Sequence, residues 1–244
     1  MEYDSAAWMK YRRMHEANIF NAFFHDNENV ADEDINVIIS DVARFFDLPI
    51  PVVSSKCQEM AKIVIDNDAY KTEIMYNMEM LQNAGIKNKD AFTLCFVHEM
   101  AHQLLYTEPF NLFRNERWLQ ELAADLTAGV YSTINSVSTA KFKYALSIQK
   151  ACLTHPAGKL RASIVEYGRT EMVINFDNNV NIITKVRNLI PTFYYLNSRQ
   201  LKADLKQVEH DIEFPPEPVP KKEINIEDLP ESNLLKQALL KYKK

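Results

Sequence analysis

Glycine is scarce, with four in 244 residues, at positions 85, 129, 158 and 168. So few leave little scope for tight turns and point to a mostly helical chain. No apolar run approaches the roughly 18 residues of a membrane span. No basic run interleaves with aromatics. The net charge is -5, from 28 Lys and Arg against 33 Asp and Glu. The electrostatic footprint of a nucleic-acid binder is therefore missing, and neither nucleic acid nor membrane is expected as a partner. The start, Met-Glu-Tyr-Asp-Ser, lacks the basic-then-apolar signature of a secretion signal. Cysteine is sparse too. Cys57, Cys95 and Cys152 are odd in number and too scattered for a cysteine metal site. They read as reduced core thiols of a cytoplasmic protein.

Apolar residues make up 47% and charged residues 25%, ordinary values for a globular chain. The length suits one sizeable domain with an appendage. Trp8, Tyr11, His15, Ile19 and Phe23 recur at helical spacing, which makes His15 a packing residue; His25 falls in a polar turn. A second helix starts at the acidic Asp32-Glu33-Asp34, carries Ile35, Ile38, Ile39, Val42 and Phe46 on one side, and ends at Pro49 and Pro51. Three short strands are expected next: an edge strand at Ile50–Val53, one at Ala61–Ile65 before a turn at Asp66–Asp68, and one at Thr72–Asn77. Gly85–Asn88 is a loop into a helix at Asp90–Tyr106, capped by Asn88 or Asp90. Glu108-Pro109 breaks the chain. Further helices are expected at 115–131, 139–152, 157–170, 180–190 and 196–212, with a sharp break at Thr154-His155-Pro156. Half of the ten prolines crowd into 215–230, an extended linker ahead of an amphipathic piece carrying Leu234, Leu235, Leu239 and Leu240. That tail is expected to be either a docking arm for a regulatory protein partner or a segment that folds back or stays disordered.

The chemistry sits in His98-Glu99-Met100-Ala101-His102. A bare HExxH arises by chance about once per hundred chains of this length. Its setting is less accidental. Phe92 to Val97 ahead of it are apolar and free of Gly and Pro, so the motif lies on a buried helix. Two histidines and a glutamate there would cost stability unless paired or metal-bound. Histidines at i and i+4 share one helix face and can hold one Zn2+ together. Glu121 and Asp125, also one turn apart, share a face of the next helix.

His98-Glu99-x-x-His102 with Glu121-x-x-Ala124-Asp125 resembles the gluzincin-type HExxH zinc metallopeptidases. It is closest to the minigluzincin and ImmA/IrrE-like peptidases. The resemblance covers the helix, small sheet and two motif helices, roughly 100 residues. It implies an α+β fold, a mainly helical zincin-like core with a small three-stranded sheet. The domain would span 1–212, with a core at 31–135 and a helical extension at 136–212, followed by the linker and short helix of 213–244. It implies Zn2+ held by His98, His102 and Glu121, with Glu99 as general base and Asp125 bonded to a ligand histidine. The opposite assignment, Asp125 as ligand and Glu121 in support, would give the same reaction class.

Three protein ligands leave one zinc position for water, whose pKa falls toward neutral. Glu99 would take its proton and return it to the leaving amine of a cleaved peptide bond. The oxyanion needs a further donor. His155 is the candidate, with Arg161, Tyr131 and Tyr106 as rivals; the alternative for His155 is a turn residue that caps the next helix. The third strand, if an edge, could pair with an extended peptide. The expected function is zinc-dependent hydrolysis of an intracellular protein target. A peptidase-like binding or regulatory module acting through a protein partner, and a delivered toxin protease, are the alternatives.

Overall fold

A computed structural model describes residues 30–66, 71–106, 116–174 and 181–214; the side chains of Asp32, Glu33 and Tyr106 fall outside that description. So do the helical stripe from Trp8 to Phe23 with His15, His25, the turn after Asp66, the break at Glu108-Pro109 and the proline-rich tail from 215. The chain divides into two compact units, residues 1–209 and 210–244.

The described elements run α1 (Asp32–Phe45), β1 (Val52–Ser54), β2 (Ala61–Asp66), β3 (Lys71–Tyr76), α2 (Met78–Asn83), α3 (Lys89–Tyr106), α4 (Arg117–Ile134), α5 (Ala140–Ser147), α6 (Gly158–Ile174) and α7 (Ile182–Glu213). The class is α+β: mostly helix, with a three-stranded mixed sheet.

α1 buries the expected stripe, Ile35, Ile38, Ile39 and Val42, all at most 2% exposed. It stops before either proline is reached. Asp47 adopts the left-handed φ of 54°. The amides of Asp47 and Leu48 return to the carbonyls of Arg44 and Ala43. This is the Schellman arrangement that closes a helix, here with aspartate at the left-handed position. α2, which the sequence pattern did not suggest, ends the same way at Gly85, whose φ is 95°.

The sheet order is β1-β3-β2. β1 runs parallel to β3 with Val53 opposite Ile74, and β2 runs antiparallel with Ile63 opposite Ile74. β3 is therefore central and not an edge. Its main-chain groups are taken up by both neighbours, so it cannot pair with a peptide; β1 and β2 are the outer strands. Ile74 and Tyr76 turn inward, and the Tyr76 ring meets the edge of Phe96 on α3 at 6.1 Å between centroids. This contact ties the sheet to the motif helix.

α3 has every residue from Ala91 to Ala101 buried. A helix apolar all round belongs in the middle of a core. α1, α4, α5 and β2 all pack on it. Asn88 caps it, its Oδ1 accepting the amide of Ala91 at 3.0 Å. α4 packs closely on α6. A Cβ at Gly129 would lie 2.1 Å from the Val165 carbonyl oxygen, so only glycine permits this approach.

Two expectations on helix length fail. α5 ends at Ser147 rather than continuing to 152. The chain must fold back there, because Gly158 sits against the Leu146 carbonyl, where a Cβ would be 1.9 Å away, and donates its amide to Gln149. The early stop frees residues 148–157 as a loop. The two helices expected after 180 are one, α7, running through Pro191. Proline removes one helical hydrogen bond, but Pro191 is exposed while Val186, Ile190 and Phe193 bury at most 5% exposed side chains on either side of it. Burial of that stripe outweighs the missing bond.

Candidate metal centre

α3 and α4 lie against each other, and Ala123 and Ala124 are fully buried between motif residues of α4. His98 Nε2 and His102 Nε2 face each other at 3.2 Å. Glu121 reaches across from α4, with Oε2 3.2 Å from His98 Nε2 and Oε1 3.5 Å from His102 Nε2. These three residues form the group of potential metal ligands found among the described residues. Ligands about 2.0–2.1 Å from a tetrahedral ion stand roughly 3.3–3.4 Å apart. The spacings of 3.2 to 3.5 Å fit that arrangement, and two imidazoles with a carboxylate are a zinc donor set.

A second observation bears on the fit. Glu121 Oε2 is buried and lacks a hydrogen bond, as does His98 Nδ1. Buried polar atoms left so are uncommon and call for a cause. A cation between the three side chains would supply one for Glu121. His98 Nδ1 lies 2.8 Å from Asp125 Oδ1, a contact whose angle falls short of a hydrogen bond.

Asp125 is thus on the far side of the His98 ring from Glu121, facing Nδ1 while Glu121 faces Nε2. It is also gripped by Arg161 of α6, Nε to Oδ2 at 2.7 Å and Nη2 to Oδ1 at 3.1 Å. Arg161 Nη1 donates to Gln149 Oε1 at 3.1 Å. Of the sequence alternatives, the geometry groups Glu121 with both histidines and gives Asp125 a supporting position.

His155 presents Nε2 to Glu121 Oε2 at 3.2 Å, while Nδ1 lies 2.8 Å from Thr154 Oγ1. The 148–157 loop carrying it is pinned to α4 by the Trp118 indole, which donates to the Cys152 carbonyl at 3.0 Å; because α5 stops early, Cys152 lies exposed on this loop and is not the core thiol expected, unlike the buried Cys57 and Cys95. Arg161 lies 3.7 Å from Glu121 Oε2. Tyr131 does not join the site; it packs against Phe45 and Phe46 of the α1 end. The Tyr106 side chain lies outside the described residues.

No family model matches the chain, and neither does any curated protein or solved structure. The functional reading rests on the site itself.

The electrostatics are those of a buried charge cluster. Burial alone would lower His98, but Asp125 and Glu121 push it up to about 10. Burial, reinforced by the facing His98, takes His102 down to about 4. Burial would raise Glu121, but the His155 and His98 rings, each 3.2 Å from Oε2, hold it well below the usual carboxylate range. Burial raises Glu99, with His98 drawing it back only in part. A raised carboxyl holds a proton more readily than an ordinary one, as a general base that must later act as an acid requires.

Beside the motif is a cleft of about 300 Å³. His98, Glu99, His155 and Arg161 form its polar side, and Cys95 and Gln149 join them. Neither of the last two was singled out by sequence. Cys95 could have been, since it stands one turn before His98 on the same helix face. Gln149 carries no such signal, because its place depends on where α5 stops.

Proposed function

We propose that this chain is a zinc-dependent peptidase of the gluzincin type that cuts an intracellular protein target. The carrying observation is the convergence of His98, His102 and Glu121 at zinc-ligand spacing, with Glu121 Oε2 buried and its 3.2 Å contacts to His98 and His155 short of hydrogen-bond geometry. His98, His102 and Glu121 would hold the ion. When bound, zinc polarises a carbonyl and lowers the pKa of coordinated water toward neutral.

Every other step belongs to the chain. Glu99, buried at the cleft beside His98 and with its carboxyl raised, accepts a proton from the attacking water and passes it to the leaving amine. Asp125 against Nδ1 orients the His98 ring so that Nε2 is the ligand nitrogen. Arg161 in turn fixes Asp125. His155, beside Glu121 and lining the cleft, is our candidate donor to the carbonyl oxygen as it gains charge. Cytoplasmic placement is part of the proposal and draws support from three free cysteines. No described helix is long and apolar enough to cross a membrane.

The test pairs metal analysis with proteolysis. The purified chain is expected to carry one equivalent of zinc, lost in both His98→Ala and Glu121→Ala. Glu99→Gln is expected to keep the zinc and lose cleavage of an unfolded protein substrate by about a hundredfold or more. Zinc bound with no chelator-sensitive cleavage of any candidate target would sink the peptidase reading and favour a binding module.

A further inference from the structure

A second cavity, of about 370 Å³, opens between the first turns of α4, the middle of α7 and the 148–157 loop. Trp118 and Leu122 stand one turn apart on α4, and Leu201 and Leu205 one turn apart on α7. Tyr194 and Leu153 complete its apolar walls. Leu122 and Leu201 are at most 5% exposed and form a fixed floor. Leu205 and Leu153 are 37% and 56% exposed, two leucines left wet at the edge of a hollow that could hold an apolar guest. None of the three candidate metal ligands lines this space.

The rim carries charge. Arg117 of α4 and Lys202 of α7 both line the cavity and are exposed, and among the described residues neither has an ion-pair or side-chain hydrogen-bond partner. Glu116 is the one acid in the lining. Two cations against one anion leave a single positive charge, which suits a guest with one negative charge and not a polyphosphate. An apolar body with one carboxylate fits both halves. Its chain displaces water from the leucines and Trp118, and its head stays at the wet rim beside Arg117 and Lys202. A hollow of this volume takes one chain or ring of about eight to ten carbons and is too small for a partner helix.

We propose that this cavity binds a small amphipathic monocarboxylate, an acyl chain or aryl group bearing one negative charge, and that its occupant fastens the loop of His155. The site is independent of the peptidase reading. Leu153 belongs to the 148–157 loop, and Trp118, which holds that loop through the Cys152 carbonyl, is a wall of the cavity. A guest that buries Leu153 binds this arrangement of the loop better than one with Leu153 withdrawn, and so shifts the loop toward it.

Octanoate is the probe, titrated into the full chain by calorimetry, with hexanoate, decanoate, octanol and octylamine alongside. Affinity is expected to rise about two- to fourfold per added methylene from hexanoate to decanoate. Octylamine is expected to bind about five- to tenfold more weakly than octanoate. Arg117→Glu and Lys202→Glu should each weaken octanoate several-fold and leave octanol unchanged. Leu205→Trp fills the hollow and should abolish binding of every probe. If that variant does not fold, Leu153→Ser on the loop is expected to weaken octanoate several-fold. Saturating octanoate should slow amide hydrogen exchange in residues 148–157 several-fold. Octanoate affinity unchanged in both charge variants overturns the site, and its loss in His102→Ala would then place the carboxylate on the metal. A chain that ignores octanoate but self-associates, and becomes monomeric on Leu205→Lys, gives the hollow to a second copy and overturns the site as well. Unchanged exchange at saturation overturns the hold on the loop.

Discussion

Arg161 grips Asp125 with two parallel hydrogen bonds, 2.7 and 3.1 Å, although the two residues are 36 positions apart and both side chains are at most 5% exposed. The pair joins α6 to α4 directly behind His98. Opposite charges so deep are not a gain over an apolar pair, but removing one partner leaves the other buried and uncompensated. Arg161→Met is therefore expected to cost about 3–5 kcal/mol of stability. The double variant Asp125→Asn with Arg161→Met should recover part of that loss. Urea unfolding of Arg161→Met, Asp125→Asn and the double variant measures this, and equal losses in single and double variants would contradict the pairing.

Metal should stabilise the fold through the same cluster. A ligand bound by the native state alone at a hundredfold excess over its Kd adds about 2.7 kcal/mol. For a chain of this length that is a rise in Tm of roughly 5–10 °C. Zinc is expected to raise Tm by that amount in the unmodified chain, and a chelator to reverse it. His102→Ala and Glu121→Ala should show no zinc-dependent shift. A shift that survives in both variants would place the metal elsewhere.

The parts legible in sequence are those governed by local spacing. Asp90 to Tyr106 is helical because its apolar run is long and unbroken, and an i, i+4 spacing pairs His98 with His102 in any helix. Glu121 and Asp125 share a face for the same reason, yet which of them meets the histidines' Nε2 atoms depends on how α4 crosses α3. The sheet order is not legible in sequence, because β1 pairs in parallel with β3 and skips β2, the next strand along the chain, and only the folded arrangement selects that partner. Pro191 falls in the gap between the two expected helices, where its exposed placement and the buried Val186, Ile190 and Phe193 carry one helix through. Gln149 enters the site because Gly158 forces an early turn, a close approach that spacing alone does not reveal.

Asp47 and Gly85 occupy equivalent left-handed positions at the ends of α1 and α2. The left-handed conformation costs an L-residue roughly 1–2 kcal/mol. Glycine avoids that cost but loses roughly 0.5–1 kcal/mol more chain entropy on folding. The first effect is larger. Asp47 is also exposed, and neither of its neighbours in the turn depends on its side chain. Asp47→Gly is expected to stabilise by about 0.5 kcal/mol. Gly85→Ala should destabilise by about 1 kcal/mol. Urea midpoints in parallel decide both signs, and a loss on Asp47→Gly would mean that the carboxylate has a partner worth more than the strain.

Glu166 on α6 offers a pH dependence away from the metal site. Its carboxylate receives Lys143 from α5 and Arg169 one turn along its own helix. Partial burial would raise its pKa, but the Arg169 and Lys143 hydrogen bonds outweigh burial and lower it below the ordinary 4.5. A depressed carboxylate binds fewer protons folded than unfolded. Its contribution is therefore fully present above the unfolded value and is lost as pH falls through the folded one. Glu166→Gln removes that contribution at neutral pH and has nothing further to lose in acid. The gap between the urea midpoints of the unmodified chain and Glu166→Gln should be widest near pH 7 and close progressively below about pH 4.5. Because the carboxylate is more than a third exposed, salt should narrow the gap at neutral pH as well. A gap that stays constant from pH 7 to pH 3 would show that Glu166 acts through packing rather than through its charge.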